Sequence, residues 1–268
     1  MNINKMDSDY IFLVFFTVLS QSAAGIFILR EVMLYSSYNY MIDKHLRIIT
    51  LLIAGLIVLI AIITASFHLG KPLQAVHTLR NLKSSWLSRE ILFILIFSGI
   101  ILLYLLTEFF TESSSIKISL SISGIIAALG LIVCMSGIYM LKTVPVWNTF
   151  LTPSSFFLTS ALTGISVMFI IIPAGFGKGS IIYPVFSLLM ILSLIVSAFL
   201  YFTGETSSVL LLITRLVTGL MALLVPLLIY CSIIPNKMPS RLFLFMLLLF
   251  TEIIGRCIFY TGFYKSGL

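Results

Sequence analysis

The sequence predicts an all-α polytopic membrane protein, a bundle of about eight transmembrane helices. Of its 268 residues, 60% are hydrophobic and only 9% are charged, and the mean hydropathy is +1.19. A soluble domain carries about a quarter charged residues and roughly half apolar ones. The apolar residues also fall in blocks of the length that a helix needs to cross the hydrocarbon layer, roughly 20 residues. These observations exclude a soluble enzyme and a disordered tail.

Each apolar block is predicted to be a helix, because backbone groups inside the bilayer must be hydrogen-bonded within their own segment. The blocks are continuously apolar and do not alternate, so a transmembrane β-barrel is excluded. One integral membrane domain, residues 1–268, is expected to hold all the spans. We place them near 10–29, 47–67, 90–110, 118–141, 154–173, 181–203, 209–230 and 242–263.

The net charge of +7 does not indicate a nucleic-acid partner, because the 16 Lys and Arg residues are spread thinly between apolar blocks. The expected partner of these apolar blocks is the lipid bilayer. Basic residues of the connections, with Arg30 counted in the first one, divide equally between the two sides of the membrane. The positive-inside rule therefore gives no orientation.

Permanently bound redox groups are not expected on this chain. Its three cysteines lie far apart and form no CxxC pattern. A transmembrane haem commonly needs axial histidines within helices, and His45, His68 and His77 all lie in or next to connections. We therefore predict no haem and no metal.

A histidine and a carboxylate are predicted to meet at one membrane face. His68 closes the second span, Gly70 and Pro72 then break the helix, and Glu90 opens the third span. Consecutive spans are antiparallel, so these two ends lie at the same face, and the helix dipole favours a carboxylate at a helix start. Such a pair can accept two protons from a lipid-soluble quinol. The alternative is an interfacial pair without chemistry.

The connection from His68 to Arg89 holds four basic residues and no acid. It could dock an acidic partner or anionic lipid headgroups, although ordinary topogenic charge is an equal alternative. The candidate docking residues are Lys71, Arg80 and Lys83. Trp147, after the fourth span, is a further docking candidate, and an interfacial belt residue is its alternative interpretation.

Charges deeper in the spans need partners, because an unpaired charge near the bilayer centre costs at least a few kcal/mol. Arg215 lies in the seventh span, and Glu252 and Arg256 lie one helical turn apart in the eighth. We predict a structural ion network of these three residues, with a proton route or a quinone wall as the alternative. Glu108 is expected to be a solvated helix end.

The string HLGKPLQAVHTLRNLKSSWLSRE, from His68 to Glu90, resembles the membrane anchor subunits of dimethyl sulfoxide reductases (the DmsC family). Three further stretches are similar: FFTVLSQSAAGIF in the first span, VPVWNTFLTPSSFF after the fourth, and TEIIGRCIFY in the last. The LGKP portion also occurs in related subunits of polysulfide and nitrite reductases. The SWLSRE portion favours the dimethyl sulfoxide type. His77 departs from the family pattern, and its role stays open.

The resemblance implies a subunit of the bacterial inner membrane that takes part in anaerobic respiration. Such a subunit oxidises menaquinol and anchors an iron–sulfur subunit and a molybdopterin catalytic subunit. The family's quinol-linked residues correspond to His68 and Glu90 here. We expect Trp86 and Arg89, with Gly70 and Pro72, to shape the quinol pocket.

Two rival functions stay open at this stage: a secondary transporter or channel, and a purely structural anchor. The sequence does not distinguish menaquinol from ubiquinol, and it does not reveal the terminal electron acceptor.

Overall fold

The structure, a computed structural model, describes residues 3–36, 42–68, 75–171, 180, 182–203 and 209–261. Within these ranges all regular secondary structure is helical, and eight helices are long and apolar enough to cross a membrane, as predicted. The helices are α1 (Ile3–Leu34), α2 (Lys44–His68), α3 (Ala75–Thr78), α4 (Trp86–Phe110), α5 (Ser114–Tyr139), α6 (Leu151–Ile171), α7 (Ile182–Thr203), α8 (Val209–Tyr230) and α9 (Met238–Thr261). All except the short α3 are candidate spans.

The observed helix ends differ from the predicted ones by a few residues, and the start of α4 matters most for function. We expected this span to begin at Glu90, but the helix begins at Trp86. Ser85 caps it, because its side chain accepts a hydrogen bond from the backbone N–H of Ser88 at 3.2 Å. Glu90 therefore lies one turn inside the helix. The predicted stabilisation of Glu90 by the helix dipole is wrong, since that effect fades within the first turn.

The helices form two compact units, residues 1–138 (unit 1) and 139–268 (unit 2). Unit 1 contains α1 to α4 and nearly all of α5, and unit 2 contains α6 to α9. The single integral membrane domain stays a prediction.

In unit 1, glycines of α5 make room for aromatic rings from α1 and α4. A side chain at Gly124 would overlap the ring of Phe27, and one at Gly137 would overlap the indole of Trp86. Small residues at helix contacts allow close backbone approach where apolar burial alone gives no driving force, as in lipid. The small residues that the sequence shows in this span are therefore packing positions.

In unit 2, an aromatic cluster joins the chain before α6 to the end of α9. Its members are Tyr139, Trp147, Phe156, Phe259 and Tyr260. The indole N–H of Trp147 donates a hydrogen bond to the carbonyl of Phe259 at 3.0 Å, and the two rings stack with centroids 5.1 Å apart. This cluster fixes the connection that precedes α6.

Replacing Gly124 by Ala is expected to lower the free energy of unfolding by about 1–3 kcal/mol, the usual cost of overpacking. Phe27 is fully buried, so moving its ring would displace the side chains packed around it. Gly99→Ala is the matched control, because a side chain there meets no atom within 4 Å. Equal stabilities of the two variants in detergent-based unfolding would contradict this packing.

Candidate functional site

The pairing of α2 with α4 determines whether His68 and Glu90 lie at the same height along the helix axes. A side chain at Gly55 of α2 would touch Ile101 of α4. Arg30 contacts Thr50, nearer the start of α2, and Glu108, nearer the end of α4. The two helices are therefore antiparallel.

His68 lies 13 residues beyond Gly55, and Glu90 lies 11 residues before Ile101. At a rise of about 1.5 Å per residue, the two backbones lie within about 3 Å of the same level. The side chain of His68 lies outside the described residues, so the side-chain contact stays a prediction.

Glu90 is buried on the face of α4 that meets α5. It lies between Trp86 and Phe93 on one helical stripe, and these two rings contact Gly137 and Gly130 of α5. The Glu90 side chain is only 5% exposed. Among the described residues, no side chain donates a hydrogen bond to its carboxylate or pairs with it. A buried carboxylate in this state is costly when it is charged, and taking up a proton removes the cost.

Arg89 holds the preceding connection against the start of α4. Its guanidinium donates hydrogen bonds to the carbonyls of Leu82 at 2.8 Å and Lys83 at 2.7 Å, and it lies 4.5 Å from the centre of the Trp86 ring. Trp86 itself is 41% exposed. Trp86, one turn before Glu90, and Arg89, directly before it, thus form a fixed rim at the end of α4 where we expect the pocket mouth.

The predicted docking residues divide into three groups. Arg80 and Lys83 are exposed, as is His77. Lys71 lies outside the described residues, as do the pocket residues Gly70 and Pro72. Trp147 is only 5% exposed and packs inside the aromatic cluster, so its predicted role in docking is wrong. The sequence alone does not distinguish a tryptophan packed in the interior from one at the membrane interface.

A second buried polar cluster lies at the opposite end of unit 1. Arg30 contacts Glu31 and donates to Glu108 with 3.3 Å between Nη2 and Oε1. Lys117 pairs with the other oxygen of Glu108 at 3.0 Å, and Ser121 donates to Glu31 at 2.5 Å. Arg30, Glu31 and Glu108 are at most 1% exposed.

This cluster corrects two expectations. Glu108 is a buried ion-pair partner, not a solvated helix end, and Arg30 belongs to α1, not to the first connection. Hydropathy could not reveal these buried ion pairs, because a hydropathy scale assigns each charged residue a value that does not depend on its neighbours in the fold. The available signal was the adjacent Arg30 and Glu31 at the end of an apolar block.

In unit 2, Arg215 and Glu252 form the predicted buried ion pair, with 3.2 Å between Nη2 and Oε1. Ser193 donates to the same oxygen, and Thr159 donates to the other at 2.6 Å. The guanidinium of Arg215 also donates to Ser197 at 2.7 Å. Four helices thus contribute to one polar cluster.

Arg256, the third predicted member, lies one turn beyond Glu252. Its guanidinium carbon lies 3.8 Å from the centre of the Phe156 ring and 5.6 Å from that of Phe259. Cation–π contacts with the aromatic cluster therefore hold this charge inside unit 2.

Neither unit shows a metal-binding arrangement in its described ranges: no group of three or more His, Cys, Asp or Glu residues comes together there. The candidate for chemistry is Glu90, a buried carboxylate without a partner among the described residues, level with the end of α2 in a chain with eight candidate membrane spans.

These features define a polytopic helical membrane protein, and comparison with known proteins gives its family. A sequence model of the DMSO reductase anchor subunit (DmsC) family matches residues 6–262. The protein belongs to this family.

Three curated relatives are similar over part of the sequence. The C polypeptide of the anaerobic dimethyl sulfoxide reductase of Haemophilus influenzae is 29% identical over 163 residues, 59% of this protein and 56% of that one. The YnfH polypeptide of an anaerobic dimethyl sulfoxide reductase of Escherichia coli is 31% identical over 57% of this protein and 54% of its own length. The C component of the sulfite dehydrogenase of Allochromatium vinosum is 31% identical over 42% of this protein and 38% of its own length. The alignments thus span about half the length of these relatives or less.

Removing one member of the Arg215–Glu252 pair should destabilise the protein more than removing both. Arg215→Met leaves a buried carboxylate without its counter-charge, which costs about 3–5 kcal/mol. The double variant Arg215→Met/Glu252→Gln should recover a large part of this loss. A double-mutant cycle of unfolding free energies in detergent measures the coupling, and purely additive losses would contradict the ion pair.

Proposed function

We propose that the protein is the membrane anchor and quinol-oxidising subunit of a molybdopterin S- or N-oxide reductase of the dimethyl sulfoxide type. In this proposal it works in anaerobic respiration in the bacterial inner membrane and passes electrons from menaquinol to an iron–sulfur partner subunit. The family and the eight candidate spans support the anchor role. The observation that carries the quinol role is the buried carboxylate of Glu90, which has no partner among the described residues.

The oxidation of a quinol releases two electrons and two protons. Glu90 accepts one proton from a quinol hydroxyl, and the imidazole of His68 accepts the other. Both groups later release their protons to water at the membrane boundary. The two electrons leave one at a time to an oxidised iron–sulfur centre of the partner subunit. The work of this protein itself is proton acceptance and positioning of the quinol ring.

The rim residues fit this task. Arg89 ties the connection to α4 and stacks on Trp86, so the entrance next to Glu90 has a fixed shape. The exposed Arg80 and Lys83 lie in the connection that leads into α4. Their positive charge suits an acidic face of the iron–sulfur subunit, which would bring the electron acceptor close to the quinol.

The terminal acceptor is selected by the molybdopterin catalytic subunit, not by the anchor. Two of the three relatives are named as dimethyl sulfoxide reductase polypeptides, and these alignments cover more of this protein than the sulfite dehydrogenase alignment does. We therefore propose electron flow from quinol towards an S- or N-oxide.

Glu90→Gln should abolish quinol-driven turnover, with a loss of at least about a hundredfold, because the amide cannot accept the proton. His68→Ala should have the same effect. The assay compares reduction of dimethyl sulfoxide by a menaquinol analogue with reduction by an artificial dye in the assembled complex. Dye-driven turnover should be unchanged, since the dye supplies electrons directly to the partner subunits.

Asp43→Asn is the matched control. This exposed residue caps the start of α2 by accepting a hydrogen bond from the N–H of Leu46 at 2.8 Å, and an asparagine preserves that acceptor. It should retain both activities. Co-purification of the partner subunits with each variant reports assembly. Quinol-driven turnover that survives in an assembled Glu90→Gln complex would show that the site is elsewhere or that the protein is a purely structural anchor.

A further inference from the structure

A polar cavity opens at the end of unit 1 that lies opposite to Glu90. Its volume is about 540 Å³, within the range of roughly 300–1,000 Å³ that is typical of small-molecule sites. Tyr35, Arg47, Ser114 and Lys117 line it, and the Glu108 carboxylate lies in its wall. We call this cavity the vestibule.

Of the three charged side chains that line the vestibule, two are in ion pairs with described residues. Glu108 accepts hydrogen bonds from Arg30 and Lys117. Lys44, at the start of α2, donates a hydrogen bond at 3.0 Å to Glu112, which lies between α4 and α5. This hydrogen bond, together with the charges of Lys44, Lys117 and Arg47, holds the pKa of the Glu112 carboxyl below its usual value. Glu112 therefore stays ionised near neutral pH and balances the charge of Lys44.

Arg47 is the exception. Its Nε donates to the carbonyl of Ile42 at 3.3 Å, but in the described ranges its guanidinium has no carboxylate at ion-pair distance. A guanidinium can bind the oxygens of a phosphate through two parallel hydrogen bonds. An anion that enters the cavity therefore meets the guanidinium of Arg47, which has no ion-pair partner in the described part of the protein. The hydroxyl-bearing residues Tyr35 and Ser114 also line the cavity.

The position of the vestibule identifies the source of that anion. It lies where α1 ends and α2 and α5 begin. All three helices are candidate membrane spans, so their ends are where we expect the boundary between hydrocarbon and water. Ile118 lines the vestibule, and the exposed Ile122 and Ile126 continue one face of α5 towards the bilayer centre. An acyl chain can lie along this stripe while its headgroup occupies the cavity.

We propose that the vestibule binds the phosphate headgroup of an anionic phospholipid, with Arg47 as the principal counter-charge. A free phosphate shares the headgroup chemistry but lacks the acyl chain that the α5 stripe accommodates. The proposal concerns the membrane face opposite to Glu90 and does not depend on quinol oxidation.

The test measures the unfolding temperature of the full-length protein in detergent. The additions are phosphatidylglycerol, zwitterionic phosphatidylcholine and inorganic phosphate. Phosphatidylglycerol should raise the unfolding temperature saturably, whereas phosphatidylcholine and inorganic phosphate should not. Arg47→Gln should raise the half-saturating concentration of phosphatidylglycerol about fivefold, since a basic residue near a membrane surface contributes on that order. Lys142→Gln, which removes an exposed cation outside the vestibule, should match the unmodified protein.

Ser114→Glu keeps the test decisive if Arg47→Gln fails to fold. Ser114 is exposed at the start of α5, where a carboxylate favours the helix, but the added charge would repel the headgroup. It should weaken phosphatidylglycerol binding without lowering the unfolding temperature of the lipid-free protein. Three results would each overturn the proposal: equal responses of Arg47→Gln and Lys142→Gln, equal effects of the two lipids, and saturation by inorganic phosphate that blocks phosphatidylglycerol.

Discussion

The cost of an unpaired charge inside the bilayer governs this structure. The described residues include four buried glutamates, and three of them are neutralised inside their own unit. Glu31 and Glu108 contact Arg30, and Glu252 pairs with Arg215. Only Glu90 is buried without a cation beside it among these residues. A buried carboxylate without a counter-charge has to be stabilised by a proton or a ligand. Glu90 is therefore the position where we expect chemistry.

The paired charges also determine how the helices around Glu90 are arranged. Arg30 connects α1 to α2 and α4 through Thr50 and Glu108, which fixes the antiparallel register of the latter two helices. The same register brings the end of α2 level with Glu90, which lies about 27 Å along α4 from Glu108 of the Arg30 cluster. One end of unit 1 is therefore held by ion pairs, and the other end carries a buried carboxylate that has no partner among the described residues. In the proposed function, this division lets Glu90 take up and release a proton without breaking the ion pairs.

The sequence predicts the eight spans well, because composition and block length are sufficient to recognise a membrane helix. Helix ends were less accurate, since they depend on caps such as Ser85, which act through a single hydrogen bond. The Arg215–Glu252 pair was found because an unpaired charge in a span requires a partner. The Arg30 cluster was missed, because Glu108 near a predicted helix end looks like a solvated residue. The burial of Trp147 depends on its contact with Phe259, which is distant in the sequence.

Infrared difference spectroscopy of the assembled complex tests the central claim most directly, because it observes the protonation of a carboxyl group itself. Electrochemical oxidation of a bound quinol, which does not depend on turnover, should produce the carbonyl-stretching band of a protonated carboxylic acid. This band should be absent in Glu90→Gln and present in Asp43→Asn. The same band in both variants would contradict the account, since the proton would then be taken up by a group other than Glu90.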